Sequence, residues 1–347
     1  MNIKRASYIV LTIAVVLTGG FAAAIIFGAS PPPPPLALYS AARQILVASL
    51  SDQPPIERYT ARDGTALAFR RYAGKQGGGT GVLVHGSSGS SNATHILGKA
   101  LAAAGINVVA IDLRGHGQSG PHGDISYDGQ LDDDMMDLVR VLDQQYPGER
   151  RLLIGHSSGG GFTLRIAGGP NACAFDGFVA LSPFLNYRSA TQRPKTGGWA
   201  EPFIPRIIAL SILNGFGIHR LDSLPAIAFA VPPEKAQAQT VTYSWRLLRN
   251  FGLDMQNWES AVKHIHQPTQ VLVGGKDELF YAEKFQPIFT ALQPAIGVRL
   301  LEGVNHMGIV LDERVISDVV TMAQEILVAS AGATSNCRAI SNPIAGS

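Results

Sequence analysis

The sequence predicts an α/β fold built on a mainly parallel, doubly wound sheet, with a helical cap inserted over one edge of it. Short, continuously apolar runs alternate with helical periodicities through the middle of the chain, the pattern of strands buried on both faces and joined by crossover helices. Glycine-rich turns follow four of those runs directly, at Gly86, Gly115, Gly155 and Gly274. The alternation breaks once, over residues 185–262, where prolines, aromatics and helix signals replace it.

In chain order, residues 8–27 come first, an uncharged apolar run preceded by Lys4 and Arg5. A helix of that length spans about 30 Å, the thickness of a bilayer's hydrocarbon core. Residues 1–30 are therefore expected to form a single-pass membrane anchor. Its basic flank stays on the cytoplasmic side and the bulk of the chain lies outside the cytoplasm. A cleaved secretory signal is the alternative, because Ala22, Ala23 and Ala24 offer small residues for cleavage, although inside the apolar run. Pro31 to Pro35 should form a stiff extended spacer, opening a linker that runs to residue 56. Residues 331–347 lack aromatics and periodicity and read as a loose tail.

The α/β core is expected over residues 57–184 and 263–330. Residues 58–72 read as a hairpin turning at Asp63-Gly64. Strands follow at 81–84, 106–111, 152–154, 177–181, 270–273 and 298–301. Helices are expected at 131–145, 160–167 and 313–328.

Composition narrows the function. Hydrophobic residues make up 46% of the chain and charged residues 16%, which suits a well-buried core. A net charge of +2, with no basic run interleaved with aromatics, argues against nucleic acid as a partner. Cys173 and Cys337 show neither metal spacing nor a disulfide framework, and two independent thiols is the simplest reading. A bridge between them stays open in an oxidising compartment.

The chemistry concentrates at the glycine turns. Gly155-His156-Ser157-Ser158-Gly159 follows a predicted strand and opens a predicted helix, the context a G-x-S-x-G elbow requires. Serine there rides a strained turn at the carboxyl edge of the sheet, where side chains in place of the glycines would strike neighbouring strand and helix. Only Ser157 has glycine two residues away on both sides. Ser158 instead offers its backbone N–H at the helix start, a donor for the oxyanion of a tetrahedral intermediate. The second donor is expected from Ser87, whose loop His85-Gly86-Ser87 leaves an earlier strand. His85 itself is expected to pack or hydrogen-bond within that loop.

A serine nucleophile needs a base, and the base needs an orienting carboxylate. On sheets that carry this elbow they follow in the order serine, acid, histidine. The strand at 270–273 ends in a glycine turn that delivers Asp277, with Glu278 its neighbour and rival. The strand at 298–301 leads to His306, whereas His264 and His266 precede the acid and break the order. Asp112 and Arg114 are expected to bond nearby backbone, and Asp132 to Asp134 to favour a helix N-terminus rather than a metal. Asn92-Ala93-Thr94 matches a glycosylation sequon, but a sugar there would crowd the site, so the match reads as coincidence.

Together these pieces resemble the α/β-hydrolase superfamily, in particular the branch holding monoacylglycerol lipases, lysophospholipases and serine aminopeptidases. The resemblance rests on the His85-Gly86 loop, the Asp112–Gly120 run DLRGHGQSG, the Gly155–Gly160 run GHSSGG, Gly274 to Asp277 (GGKD) and Asn305-His306. It covers about residues 57–330. It implies an α/β-hydrolase fold and cleavage of an ester or amide through an acyl-enzyme, without cofactor or metal. Monoacylglycerol lipases resemble G-H-S-M-G, whereas the fourth residue here is Ser158.

The expected activity is carboxylic-ester hydrolysis of a small-molecule or lipid substrate, with Ser157, His306 and Asp277 as the triad and the Ser87 and Ser158 amides as the oxyanion hole. Aminopeptidase action would need acidic groups to hold a free amine. The cap has Glu201, Asp222, Glu234, Asp254 and Glu259, but more bases than acids, and its apolar stretches at 203–213 and 224–231 suit an acyl chain better. A non-enzymatic binding domain is the remaining alternative, against which all three triad positions are occupied.

Overall fold

A computed structural model describes residues 18–253 and 255–329. Eight strands form the main sheet in the order β1-β2-β4-β3-β5-β6-β10-β11. β1 (Ile56–Thr60) and β2 (Ala66–Tyr72) are the expected hairpin, antiparallel to each other, and β2 runs antiparallel to β4. β3 (Thr80–Val84), β4 (Asn107–Ile111), β5 (Arg151–His156), β6 (Gly177–Leu181), β10 (Thr269–Gly274) and β11 (Gly297–Leu301) are parallel.

β3 to β6 are buried along their whole length, which explains their unbroken apolar sequences. Side chains alternate between two cores: Val82, Val84 and Leu153 on one face, Leu83, Leu152 and Ile154 on the other. Helices Gln130–Gln145 and Ser158–Ala167 cover the first face. Helices His95–Ala103 and Glu313–Ala329 cover the second. The chain lays down β4 on one side of β3 and then β5 on the other, so the loops after β3 and β5 flank a topological switch point, where α/β sheets bind ligands.

The insertion between β6 and β10 is not wholly helical. Helices Ile204–Gly215, Trp245–Asn250 and Trp258–Lys263 accompany a three-stranded antiparallel sheet of β7 (Ala200–Pro202), β8 (Pro225–Phe229) and β9 (Thr242–Ser244). These strands are three to five residues long and two of them contain proline, which hides their period.

Residues 18–27 are helical, whereas 1–17 of the expected anchor lie outside the described residues, as does the whole expected tail, 331–347, with Cys337. Among the described residues no helix is long and apolar enough to cross a membrane. The segment expected as spacer and linker carries a helix, Ala37–Ser49, after the prolines. Cys173 is disulfide-bonded rather than a free thiol, which corrects the reading of two independent thiols. Position along the sequence says nothing of spatial proximity.

Candidate active site

The carboxyl ends of β3, β5, β10 and β11 all open on one edge of the sheet, and each delivers a predicted group. Ser157 follows β5 at φ 56°, ψ −119°, a region that a non-glycine residue occupies only under strain. Its N–H donates to Leu181 O at 2.9 Å, and its carbonyl accepts from Gly161 N and Phe184 N at 3.0 and 2.9 Å. The elbow is thus held from three sides. A Cβ at Gly159 would strike the carbonyl oxygens of Val84 and His85, so only glycine lets the helix after Ser157 approach β3.

Asp277 and His306 meet across two strand ends. Asp277 Oδ2 lies 2.7 Å from His306 Nδ1, and both side chains are essentially inaccessible to solvent, at 0% and 1% exposed. The other carboxylate oxygen accepts from the amides of Leu279 and Phe280 at 2.9 and 3.0 Å. Burial alone would raise the Asp277 carboxyl, but His306 and those hydrogen bonds outweigh it and hold the group below the usual range. Glu278, the rival acid, points elsewhere and accepts the backbone N–H of His306 at 3.0 Å. His264 is exposed and bonded to Ser260 O, away from the site.

Ser157 and His306 line one cavity, together with Gly86, Ser87, Ser88 and His156. No hydrogen bond joins Ser157 Oγ to the imidazole in this structure; such contacts commonly tighten only when substrate binds. A Cβ on Gly86 would sit 3.1 Å from Ser157 Cβ, so this glycine lets the Ser87 loop lie against the elbow. Among the described residues no backbone carbonyl accepts the Ser87 amide, and the Ser158 amide is the first of its helix, where N–H groups lack intrahelical acceptors.

His85 plays the expected local role: Nδ1 donates to Gly86 O at 2.8 Å and Nε2 accepts from Leu113 N at 3.2 Å. Burial lowers its pKa. Asp112 accepts from the amides of Ser91 and Gln118 as expected. Arg114 departs from expectation. Its guanidinium grips the Asp134 carboxylate with two bonds of 2.7 Å and reaches Thr65 Oγ1 and Asp63 Oδ1, side chains rather than backbone. Asp132 and Asp133 pair with Arg165 and Arg62 at 2.6 Å each. Among the described residues no group of three His, Cys, Asp or Glu side chains is placed to hold a metal.

Three side chains that sequence reasoning missed complete the surroundings. Trp199 Nε1 donates to Ser87 Oγ at 2.8 Å. Tyr243, on β9, places its phenol oxygen 2.8 Å from Ser88 N and 2.7 Å from His116 Nε2. Arg193 donates to the carbonyls of Asp277 and Phe280. Each acts through one or two long-range bonds from the insertion, with no local pattern to announce it.

Comparison with known proteins agrees with this architecture. The sequence profile of the family described as serine aminopeptidase, S33, matches residues 78–312. A monoacylglycerol lipase of Mycolicibacterium smegmatis is 32% identical over 217 residues, 58% of this chain and 71% of that protein. The sn-1-specific diacylglycerol lipase ABHD11 of Danio rerio is 26% identical over 251 residues, 69% of this chain and 76% of that protein. Among solved structures, the monoglyceride lipase of Saccharomyces cerevisiae aligns over 81% of this chain and 96% of its own, with TM-score 0.58 and 18% identity. That likeness concerns the fold.

Proposed function

Because the chain belongs to the serine aminopeptidase S33 family of α/β-hydrolases, we propose that it cleaves carboxylic esters, lipid esters foremost, through an acyl-enzyme on Ser157. The observation that carries the reading is the Asp277–His306 bond of 2.7 Å, with the imidazole and Ser157 facing one cavity. Ser157 Oγ attacks the carbonyl carbon while its proton passes to His306 Nε2. Asp277 fixes the tautomer and stabilises the imidazolium. The Ser87 and Ser158 amides take the oxyanion, each such donor being worth roughly 2.7–4 kcal/mol. The alcohol leaves with the proton from His306. Water, deprotonated by His306, then attacks the acyl-enzyme and releases the acid.

The cavity lining supports an acyl substrate over an aminoacyl one. Leu36, Leu46, Trp199, Ala230 and Met307 contribute apolar surface, and no carboxylate lines it among the described residues. Of the cap acids, Asp222 is bonded to Arg249 and Asn214, and Asp254 lies outside the described residues. The monoacylglycerol and diacylglycerol lipases among its relatives favour a lipid ester. Turnover of p-nitrophenyl acyl esters, set against aminoacyl anilides, tests this. Clear preference for the esters is expected, lost in Ser157→Ala; preference for the anilides would overturn the ester reading.

The same reading places the enzyme at a membrane, with its catalytic part outside the cytoplasm. Three features support it. Lys4 and Arg5 precede the apolar run. The disulfide of Cys173 suits an oxidising compartment. Ile204, Ile208 and Ile212, at helical spacing with Phe216, form an exposed apolar stripe, and Arg206 of that helix donates to the carbonyls of Ile25 and Ile26 at 2.9 and 3.1 Å. Flotation of the full chain with anionic vesicles, and protease protection in cells, tests the placement.

A further inference from the structure

One wall of the cavity comes from outside the region that defines the family. Leu36, Ala42 and Leu46 line it beside Ser157 and His306, yet the family match begins at residue 78. These residues belong to a strap that crosses the carboxyl edge of the sheet. Leu36 packs on the core of one sheet face, whereas Ala42 and Leu46 pack on the core of the other.

The strap is tied down at both ends. At its start, Arg206 holds the carbonyls of Ile25 and Ile26. At its finish, buried His95 places Nε2 3.0 Å from Ser49 O and 3.1 Å from Asp52 Oδ1. Gln53 then donates to Asn92 at 2.9 Å, and Arg70 donates to Pro54 O. Five prolines between the ties stiffen the span. Among the described residues, what it presents to the cavity is the hydrocarbon of Leu36, Ala42 and Leu46.

Resting on the ester reading above, we infer that this strap is the acyl-chain wall of the site, with Leu36 and Leu46 as the residues that set how long an acyl chain is accepted. Bulk added there shortens the channel and bulk removed lengthens it. The reacting carbonyl is held by other groups, so the effect grows with chain length. A hydrophobic wall discriminates by roughly 10–200-fold per misfitted methylene.

The experiment uses the full chain and reads kcat/KM for p-nitrophenyl acetate, butyrate, octanoate and dodecanoate. In Leu46→Trp and Leu36→Trp the dodecanoate-to-acetate ratio should fall by at least about tenfold, and in Leu46→Ala it should rise. Val47→Trp, on the exposed side of the same helix, should keep the ratio within about twofold of the parent. Equal losses at every chain length, or an unmoved ratio in Leu46→Ala, overturn the wall. A parent enzyme that hydrolyses none of the four esters overturns the ester reading and the wall with it, which separates the two failures.

Discussion

His156 Nε2 donates to the carbonyl oxygen of His306 at 3.1 Å, and the two rings lie 4.7 Å apart. The residue just before Ser157 therefore holds the backbone of His306, the proposed base. Burial, reinforced by His306, pulls His156 down to about 3, so its ring stays neutral and keeps that proton. Replacing it removes the hold while leaving Ser157, Asp277 and His306, the proposed reacting groups, unchanged. His156→Ala is expected to lower kcat for an ester by up to about 10²-fold with KM little changed, measured as separate kcat and KM values.

Asp277 should matter through orientation as well as charge. Asp277→Asn preserves shape but offers the imidazole the wrong tautomer, and a loss of about 10⁴-fold in kcat is expected. Because the carboxyl is held below its usual range, it stays ionised as pH falls. The acid limb of the parent's kcat profile should therefore not fall in the carboxylate range, which a pH–rate series checks.

Strain at the elbow predicts a trade between stability and activity. Ser157 sits at φ 56°, where glycine is at ease and other residues lose about 1–3 kcal/mol. Ser157→Gly should unfold at a higher urea concentration than Ser157→Ala, and both should lose at least about 10⁴-fold in activity. Equal midpoints for the two variants would show that the turn stores no strain.

The fold and the positions of the proposed reacting groups at the strand ends were legible because physics marks both in short stretches. β3 to β6 had to be unbroken apolar runs, since each is covered on both faces. Ser157, Asp277 and His306 each stand just after a strand, behind glycines that let the chain turn. The cap sheet was not legible, because Pro202 and Pro225 sit in strands too short to show alternation. Helix Phe285–Leu292 escaped notice because Pro287 interrupts its pattern near the start. Helix Ala37–Ser49 was hidden by the prolines before it. Trp199 and Tyr243 had no signal at all, as each touches the site from more than a hundred residues away.

Three buried histidines make stability depend on pH. His85, His116 and His156 are each lowered, with burial the first cause. The unfolded chain takes up protons on them near pH 6.5, while the folded chain takes them up only at lower pH. Stability is therefore full above about pH 6.5 and falls as pH drops, by up to about 1.4 kcal/mol per pH unit for each group. Urea unfolding at pH 7, 6 and 5 should follow this slope, and His156→Gln should flatten it by about one proton.

The Arg114–Asp134 pair is buried, with side chains 6% and 5% exposed. Asp134→Ala leaves a guanidinium without its main counterion, and a loss of about 3–5 kcal/mol is expected. Replacing both residues by apolar ones of similar size should cost much less. Denaturant midpoints of the single and double variants check this.

Tyr243 gives the insertion a fixed seat. Its phenol oxygen serves the Ser88 amide and the His116 ring at once, and Ser88 Oγ donates to Thr240 O at 2.6 Å beside it. Swinging β9 upward would strand several buried polar groups together, at about 1–3 kcal/mol apiece. That roof is riveted rather than hinged, so whatever gives way for an arriving molecule must give way at the sides.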